Sequence, residues 1–157
     1  MKLDHATWVV VADGEKYLLL RNKGDRDFLH LEVIEQQENF NAPARELSTD
    51  RAGRHHDAKR DLGGDVKAWG KSAMEETDWH RVEEERFARH VAATMSDMAS
   101  AGRFKSLVVI ADPRSLGAFR DACDDKLDSV IVAEIAKDLT NLPLEGIERS
   151  ITAHDGK

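Results

Sequence analysis

The segment Ser106-Leu-Val-Val-Ile-Ala-Asp-Pro113 decides the fold class. Its apolar run is nearly continuous, which is typical of a parallel strand buried on both faces of a sheet. Asp112 then follows as a predicted helix N-cap, and Pro113 suits the first position of a helix. The segment therefore predicts a strand that leads directly into a helix, the basic unit of an α/β protein.

Upstream of this unit, the sequence predicts three antiparallel strands. Residues 7–12 are mostly β-branched or aromatic and end at Asp13-Gly14, a strong tight-turn signal, so residues 16–21 are the expected partner strand. The third strand is predicted over 28–34 because apolar residues alternate along it. The residues expected on one face of that strand are Leu29, Leu31 and Val33.

Downstream elements complete a β-β-β-α-β-α-β-α order. A long helix is predicted to start at a cap formed by Thr77 or Asp78 and to end at Gly102, and its apolar stripe recurs at helical spacing. A strand is predicted over 129–135, and Pro143 starts a last short helix. We therefore expect an α/β fold of the α+β mixed-sheet type, with a five-stranded mixed sheet flanked by helices.

Composition limits the class of protein. The 157 residues suffice for one domain, predicted over 1–157, and the lone Cys123 excludes an internal disulfide, which fits a reducing compartment. No run of eighteen apolar residues and no signal peptide is visible, so we expect a cytoplasmic protein without a membrane partner.

One segment stands apart from these periodic elements. No period persists from Glu35 to about Met74, so the sequence predicts a long functional or mobile loop at about 38–76. Four basic residues against one acidic residue give 51–60 a local charge of +3, whereas the whole chain carries −7. A cationic segment on an acidic chain is a candidate site for an anionic ligand.

Four short motifs in order carry a family resemblance over nearly the whole chain. The chain resembles the bacterial host-attachment proteins, a family of small proteins named for a requirement in attachment to host cells. The motifs are Trp8-Val-Val-Val-Ala-Asp13, Glu83-Glu-Glu-Arg-Phe-Ala88, Asp112-Pro-Arg-Ser-Leu-Gly117 and Lys137-Asp-Leu-Thr140.

That family is in turn similar to the middle domain of the archaeal and eukaryotic peptide-release factors. The resemblance implies an RNase H-like fold. It also implies a loop between the third strand and the long helix, where release factors carry the Gly-Gly-Gln that promotes peptidyl-tRNA hydrolysis. This chain has Gly63-Gly64-Asp65 at that place, so the glycines match and the glutamine does not.

Two groups of residues are candidates for function. The loop group could place backbone amides and cations near RNA phosphates, and its glycines permit close approach. Its members are Arg51, Arg54, His55, His56, Lys59, Arg60, Gly63, Gly64 and Asp65. The same residues also fit a solvated loop with turn glycines, in which the acids Glu46, Asp50, Asp57, Asp61 and Asp65 dilute the positive charge. Asp13 and Asp112, at the predicted strand ends, are weak candidates for metal-assisted catalysis, but each is also the ordinary residue for a turn or a helix cap.

Other chemistry finds little support in the sequence. His55-His56-Asp57 lacks the spacing of a zinc site, and Cys123 lies on the apolar side of its helix, as a small core residue would. We expect no metal and no cofactor. The leading hypothesis is a non-enzymatic module that binds RNA, the ribosome or a protein partner through its loop. The alternatives are a hydrolase, either a peptidyl-tRNA esterase or a metal-dependent nuclease, and a direct or indirect role in attachment.

Overall fold

A computed structural model describes the backbone of residues 1–39 and 67–155, with side-chain environments from residue 76 onward in the second range. The described elements follow the predicted order, with one short helix added between α2 and β5. They are β1 (Trp8–Ala12), β2 (Lys16–Asn22), β3 (Leu31–Glu38), α1 (Lys67–Ser100), β4 (Leu107–Ala111), α2 (Pro113–Asp121), α3 (Asp125–Asp128), β5 (Ile131–Ala136) and α4 (Leu144–Thr152).

The strands form one mixed sheet in the order β3-β2-β1-β4-β5. β1 pairs with β2, and β2 with β3, in antiparallel fashion, whereas β1 pairs with β4, and β4 with β5, in parallel. The predicted five-stranded mixed sheet is confirmed. The central strands β1 and β4 are buried along their whole length, because helices cover both faces of the sheet at this point.

Each face of the sheet has its own apolar core. On one face, Val10 and Val109 pack with Phe87, Val91 and Met95 from α1, and with residues of α2 and α3. On the other face, the neighbouring strand positions pack against Ile147 and Ile151 of α4. Successive side chains of a strand point to opposite faces, so the central strands contribute to both cores.

The long helix begins earlier than predicted. α1 starts at Lys67, so Thr77 and Asp78 lie inside it rather than at its cap, and residues 67–76 of the predicted loop are helical. Lysine, alanine, methionine and glutamate are good helix formers, and the single Gly70 costs only about 1 kcal/mol in a helix interior. The glutamates from Glu83 onward consequently lie in the middle of α1 and not at its N-terminus.

The third strand also differs from its predicted bounds, 28–34. It begins at Leu31 and runs to Glu38, since the β2–β3 pairing extends from Asn22↔Leu31 to Lys16↔Glu38. Leu31 and Val33 lie two residues apart in regular register, yet Leu31 is buried and Val33 is 43% exposed. The register shift between Leu19 and Leu20 comes after Val33 along β3, where Ile34 is the extra residue. A β-bulge of this kind redirects side chains along one strand.

The local start and stop signals elsewhere are accurate. The Asp112 carboxylate caps α2, and Pro113 occupies its first turn, as predicted. The backbone of Gly102 has a φ of +70° after the end of α1, a conformation that glycine adopts at little cost. The short α3 was not predicted; the Asp124 side chain caps it by accepting from the Leu127 backbone N–H at 2.7 Å.

The chain divides into two compact units, residues 1–39 with 84–157 and residues 40–83. The first unit contains the sheet and both cores. Of the second unit, the structure describes the helical backbone of 67–83. Across the described ranges, no helix has the length and apolar character needed to cross a membrane.

Candidate functional site

The strand-end aspartates lie at one edge of the sheet. Ala12 of β1 and Ala111 of β4 are register partners on parallel strands, so Asp13 and Asp112 follow at the same end of adjacent strands. The structure thus brings together the two residues that the sequence singled out as weak catalytic candidates. Their hydrogen bonds show what each carboxylate does there.

The Asp13 carboxylate closes the turn between β1 and β2. Its Oδ1 accepts hydrogen bonds from the backbone N–H groups of Glu15 at 2.7 Å and Lys16 at 2.8 Å. Its Oδ2 accepts from the Thr140 hydroxyl at 2.6 Å, across 127 residues of sequence. Both oxygens are therefore engaged, one by the local turn and one by the loop that follows β5.

Thr140 links two carboxylates at this edge. Its side chain is buried at 5% exposure, and its Oγ1 lies 2.9 Å from Oδ1 of Asp138 as well as 2.6 Å from Asp13. Lys16 donates from Nζ to the Asn141 side-chain oxygen at 2.7 Å and adds a second contact between the same two loops. A hydroxyl has one hydrogen to donate, so it serves one of the two carboxylates at a time.

The Asp112 carboxylate is a helix cap. Its Oδ1 accepts from the backbone N–H groups of Arg114 at 3.0 Å and Ser115 at 3.1 Å, which have no partner inside α2. These bonds account for Asp112 without a catalytic role, and the same holds for Asp13. A catalytic role for either residue stays a prediction.

Glu84 covers the Asp13-Gly14 turn from α1. A Cβ atom added to Gly14 would lie 2.1 Å from Cγ of Glu84, so the absence of a side chain at Gly14 permits this approach. The Glu84 carboxylate pairs with the Arg114 guanidinium at 3.2 Å, both partly exposed. The edge thus contains acids from four different segments, yet no group of three or more His, Cys, Asp or Glu side chains in the described residues is arranged to hold a metal ion.

Sequence reasoning gave Thr140 and Asp138 no individual role and included them only in the fourth family motif. The contact of Thr140 with Asp13 joins segments more than a hundred residues apart, which no local pattern reveals. The signal that could have pointed to them is the Asp-x-Thr spacing, in which the Asp138 carboxylate accepts from the Thr140 backbone N–H at 3.2 Å.

Cys123 lies just beyond α2 and packs against the core of the α1 face. Burial raises the pKa of its thiol to about 11, and the negative charges of Asp128, Glu134 and Asp124 add to the effect. A thiol with a raised pKa is a poor nucleophile. The environment agrees with the prediction of a small core residue.

The predicted loop group lies outside the described residues, which stop at Asn39 and resume at Lys67. This applies to every residue of the group: Arg51, Arg54, His55, His56, Lys59, Arg60, Gly63, Gly64 and Asp65. What the structure supplies are the elements on either side, β3 before the segment and α1 after it. Asp65 stands two residues before the first residue of α1.

The chain is similar to a known protein family and to one curated protein. A family model described as bacterial archaeo-eukaryotic release factor family 12 matches residues 6–151, nearly the whole chain. The uncharacterized protein RP470 of Rickettsia prowazekii (strain Madrid E) is 31% identical over 74 residues, which cover 46% of this chain and 49% of that protein. The match thus spans about half the length of this curated relative.

Proposed function

The chain belongs to bacterial archaeo-eukaryotic release factor family 12, and from that premise we propose that it is a non-enzymatic module that binds ribosomal RNA through residues 51–65. The membership confirms the predicted kinship with release factors. The resemblance to host-attachment proteins stays a prediction, as does a role in attachment.

The observation that carries the proposal is the distribution of charge. Residues 51–60 hold a formal +3, which leaves −10 on the rest of a chain of −7. Asp61 and Asp65 reduce the formal charge of 51–65 to +1, so the attraction of RNA is strongest at 51–60, while the acidic remainder of the chain repels it.

The position of the segment supports the same proposal. In the release factors that the chain resembles, the Gly-Gly-Gln loop lies between the third strand and the long helix. Here Gly63-Gly64-Asp65 occupies the same place, between β3 and α1. Asp65 replaces the glutamine with an acid, so we propose contact with RNA rather than hydrolysis of an ester.

We further propose that the fold is RNase H-like. The strand order β3-β2-β1-β4-β5, with three antiparallel strands followed by two parallel ones, supports this assignment. It would place the chain beside the middle domain of the release factors in fold as well as in family.

The test is co-sedimentation of the purified chain with ribosomes, followed by RNA binding at several salt concentrations. The variant Arg51→Ala/Arg54→Ala should bind more weakly, and its slope of log affinity against log salt should fall by about 2, close to one unit for each phosphate that is no longer neutralised. The matched control is Arg26→Ala/Arg89→Ala, which removes the same charge from exposed positions of the described surface and should leave the slope unchanged.

Three outcomes contradict the proposal. Affinity that is flat across salt, or that falls equally in both double variants, excludes the cationic segment as an RNA site. Ribosome capture that survives RNase treatment and salt indicates a protein partner instead. Hydrolysis of peptidyl-tRNA, or cleavage of RNA that Asp13→Asn or Asp112→Asn abolishes, indicates one of the enzymatic alternatives.

A further inference from the structure

The apolar side chain of Phe28 is exposed to solvent. It lies in the connection between β2 and β3, and its side chain is 77% exposed. The predicted third strand included Phe28, but the structure places it in the turn. Phenylalanine is usually buried because its ring carries a large apolar area, but a single exposed apolar residue is ordinary, so the surroundings of the ring decide whether it belongs to a contact surface.

The connection around Phe28 is fixed by the buried side chain of Asn22, which is 0% exposed. Its Nδ2 donates to the backbone carbonyls of Leu3 at 3.1 Å and Asp4 at 3.2 Å. Its Oδ1 accepts from the backbone N–H groups of Gly24 at 2.9 Å and His30 at 3.1 Å. One amide thus holds both ends of the connection and joins them to the N-terminal segment.

A second set of hydrogen bonds fixes Phe28 itself. The Asp25 carboxylate accepts from the backbone N–H groups of Asp27 at 2.9 Å and Phe28 at 2.8 Å, and the Asp25 N–H donates to the Phe28 carbonyl at 3.0 Å. The Phe28 carbonyl oxygen would lie 1.9 Å from a Cβ on Gly24, so the chain packs tightly here. These bonds fix the backbone from which the Phe28 side chain projects.

The exposed ring borders a wide depression of about 730 Å³ between this connection and α4. Phe28, Leu29 and Ala153 provide its apolar part. The α4 wall is held in place because the Glu148 carboxylate accepts from the backbone N–H of Leu31 at 2.7 Å. A preorganised apolar side chain beside a fixed depression has the character of an interface anchor, since little ordering entropy is lost when a partner binds.

The charged side chains that line the depression indicate which kind of partner fits it. They are Asp27, Glu145 and Glu148 against Arg149 alone. Asp27 is already paired with Lys2 at 2.6 Å, and the Arg149 Nε donates to the Glu145 backbone carbonyl. The remaining acidic character repels nucleic-acid phosphates and attracts cations, and a guanidinium can also stack on the face of an aromatic ring.

We propose that Phe28, Leu29 and the facing side of α4 form a docking surface, here called the Phe28 surface, for a protein segment that carries arginine and apolar residues. An apolar or arginine side chain of the partner covers the Phe28 ring, and neighbouring cations face Glu145 and Glu148. The Phe28 surface consists of other residues than segment 51–65, and the proposal does not depend on the function of that segment.

The experiment measures fluorescence anisotropy of a labelled peptide, about ten residues of alternating arginine and leucine, titrated with the full chain. A peptide of alternating glutamate and leucine is the control probe. We expect saturable binding of the arginine peptide and none of the glutamate peptide. Phe28→Ala should weaken binding about tenfold or more, as truncation of an anchor does, whereas Phe28→Tyr should retain it.

Matched variants separate the Phe28 surface from general attraction to an acidic protein. Val132→Ala truncates another apolar side chain, 56% exposed on β5, and should bind the peptide as the wild type does. Glu145→Gln should weaken binding about threefold, with the difference shrinking as salt rises, whereas Asp97→Asn removes an exposed acid of α1 and should have no such effect. Circular dichroism checks that each variant is folded.

The proposal is overturned if the arginine peptide does not bind saturably, or if Phe28→Ala and Val132→Ala bind it equally. It is also overturned if single-stranded RNA binds and loses affinity in Phe28→Ala, which indicates a nucleic-acid surface. Self-association that is detected by sedimentation and abolished by Phe28→Ala indicates a second copy as the occupant and overturns it as well.

Discussion

The two ends of the sheet carry connections of similar polar chemistry that present different groups to solvent. At the end where β1 and β4 finish, Asp13 and Asp112 accept backbone hydrogen bonds and close a turn and a helix cap. At the opposite end, the side-chain oxygens of Asn22 and Asp25 also accept hydrogen bonds from backbone N–H groups, but the connection that they fix exposes Phe28. Asp13 and Asp112, which are conspicuous in sequence, thus have structural partners, while Phe28, which no motif marks, belongs to the proposed docking surface.

The largest effect is expected at Asn22. In Asn22→Ala, the hydrogen bonds of the buried amide are lost and backbone groups remain without partners, so the free energy of unfolding should fall by about 3 kcal/mol. Urea denaturation measures the change. Asn141→Ala, which removes an amide that contacts only the exposed Lys16 amine in the described contacts, is the control and should change stability by less than about 0.5 kcal/mol. Equal stability of the two variants would contradict the fixed connection.

The glycines at the two ends should differ in their tolerance of a side chain. A Cβ at Gly24 meets the backbone oxygen of Phe28 at 1.9 Å, whereas a Cβ at Gly14 meets the Glu84 side chain at 2.1 Å. Backbone cannot move as a side chain can, so Gly24→Ala should cost about 2 kcal/mol and Gly14→Ala about half as much. Comparison of urea midpoints tests this order, and a reversed order would mean that the connection around Phe28 is deformable.

The aspartates at the strand ends should act on stability. Asp13→Ala should cost about 1.5 kcal/mol because two backbone N–H groups lose a charged acceptor, and Asp112→Ala about 1 kcal/mol through the lost cap. The corresponding asparagine variants retain an acceptor oxygen and should cost less, which thermal or urea unfolding measures. If the asparagine variants keep full stability but abolish a measured activity, Asp13 and Asp112 are catalytic. The end of the sheet that carries them would then be functional as well as structural.

The smallest effect concerns Asp27 at the Phe28 end. The hydrogen bond from the Lys2 ammonium, and then its charge, lower the pKa of this exposed carboxyl below its usual 3.8. A lowered folded-state pKa contributes stability that is present above the unfolded pKa and is lost as pH falls through the folded pKa. In carboxyl NMR titrations, Lys2→Ala should return the pKa of Asp27 toward 3.8. Identical titrations would show that Asp27 is free to meet a partner itself.

Features governed by neighbours in the chain were predictable from sequence. The Asp13-Gly14 turn, the Asp112-Pro113 cap and the helix end at Gly102 each depend on the backbone preferences of one or two residues. The element order followed because apolar periodicity distinguishes strands from helices over short windows. Family kinship with the release factors, inferred from four motifs, also proved correct.

Features governed by distant partners were not predictable. The predicted bounds of β3 were wrong because they depend on the length of β2 and on a bulge opposite Leu19 and Leu20. The predicted start of α1 was wrong because Thr77 and Asp78, which favour helix caps, lie inside a helix that continues through them. The place of Phe28 was wrong because the Asp25 carboxylate, just before the predicted strand, holds it in a turn.

The amino-acid sequence by itself determined the mixed sheet, the order of its elements and the partition of charge between residues 51–60 and the rest of the chain. These properties are sums of local preferences and of formal charges. Only the tertiary structure decided that Thr140 binds Asp13, that Asn22 is buried at the centre of a hydrogen-bond network and that Phe28 faces water. Each of these depends on groups far apart in sequence, and burial and hydrogen bonding are fixed when packing brings those groups together.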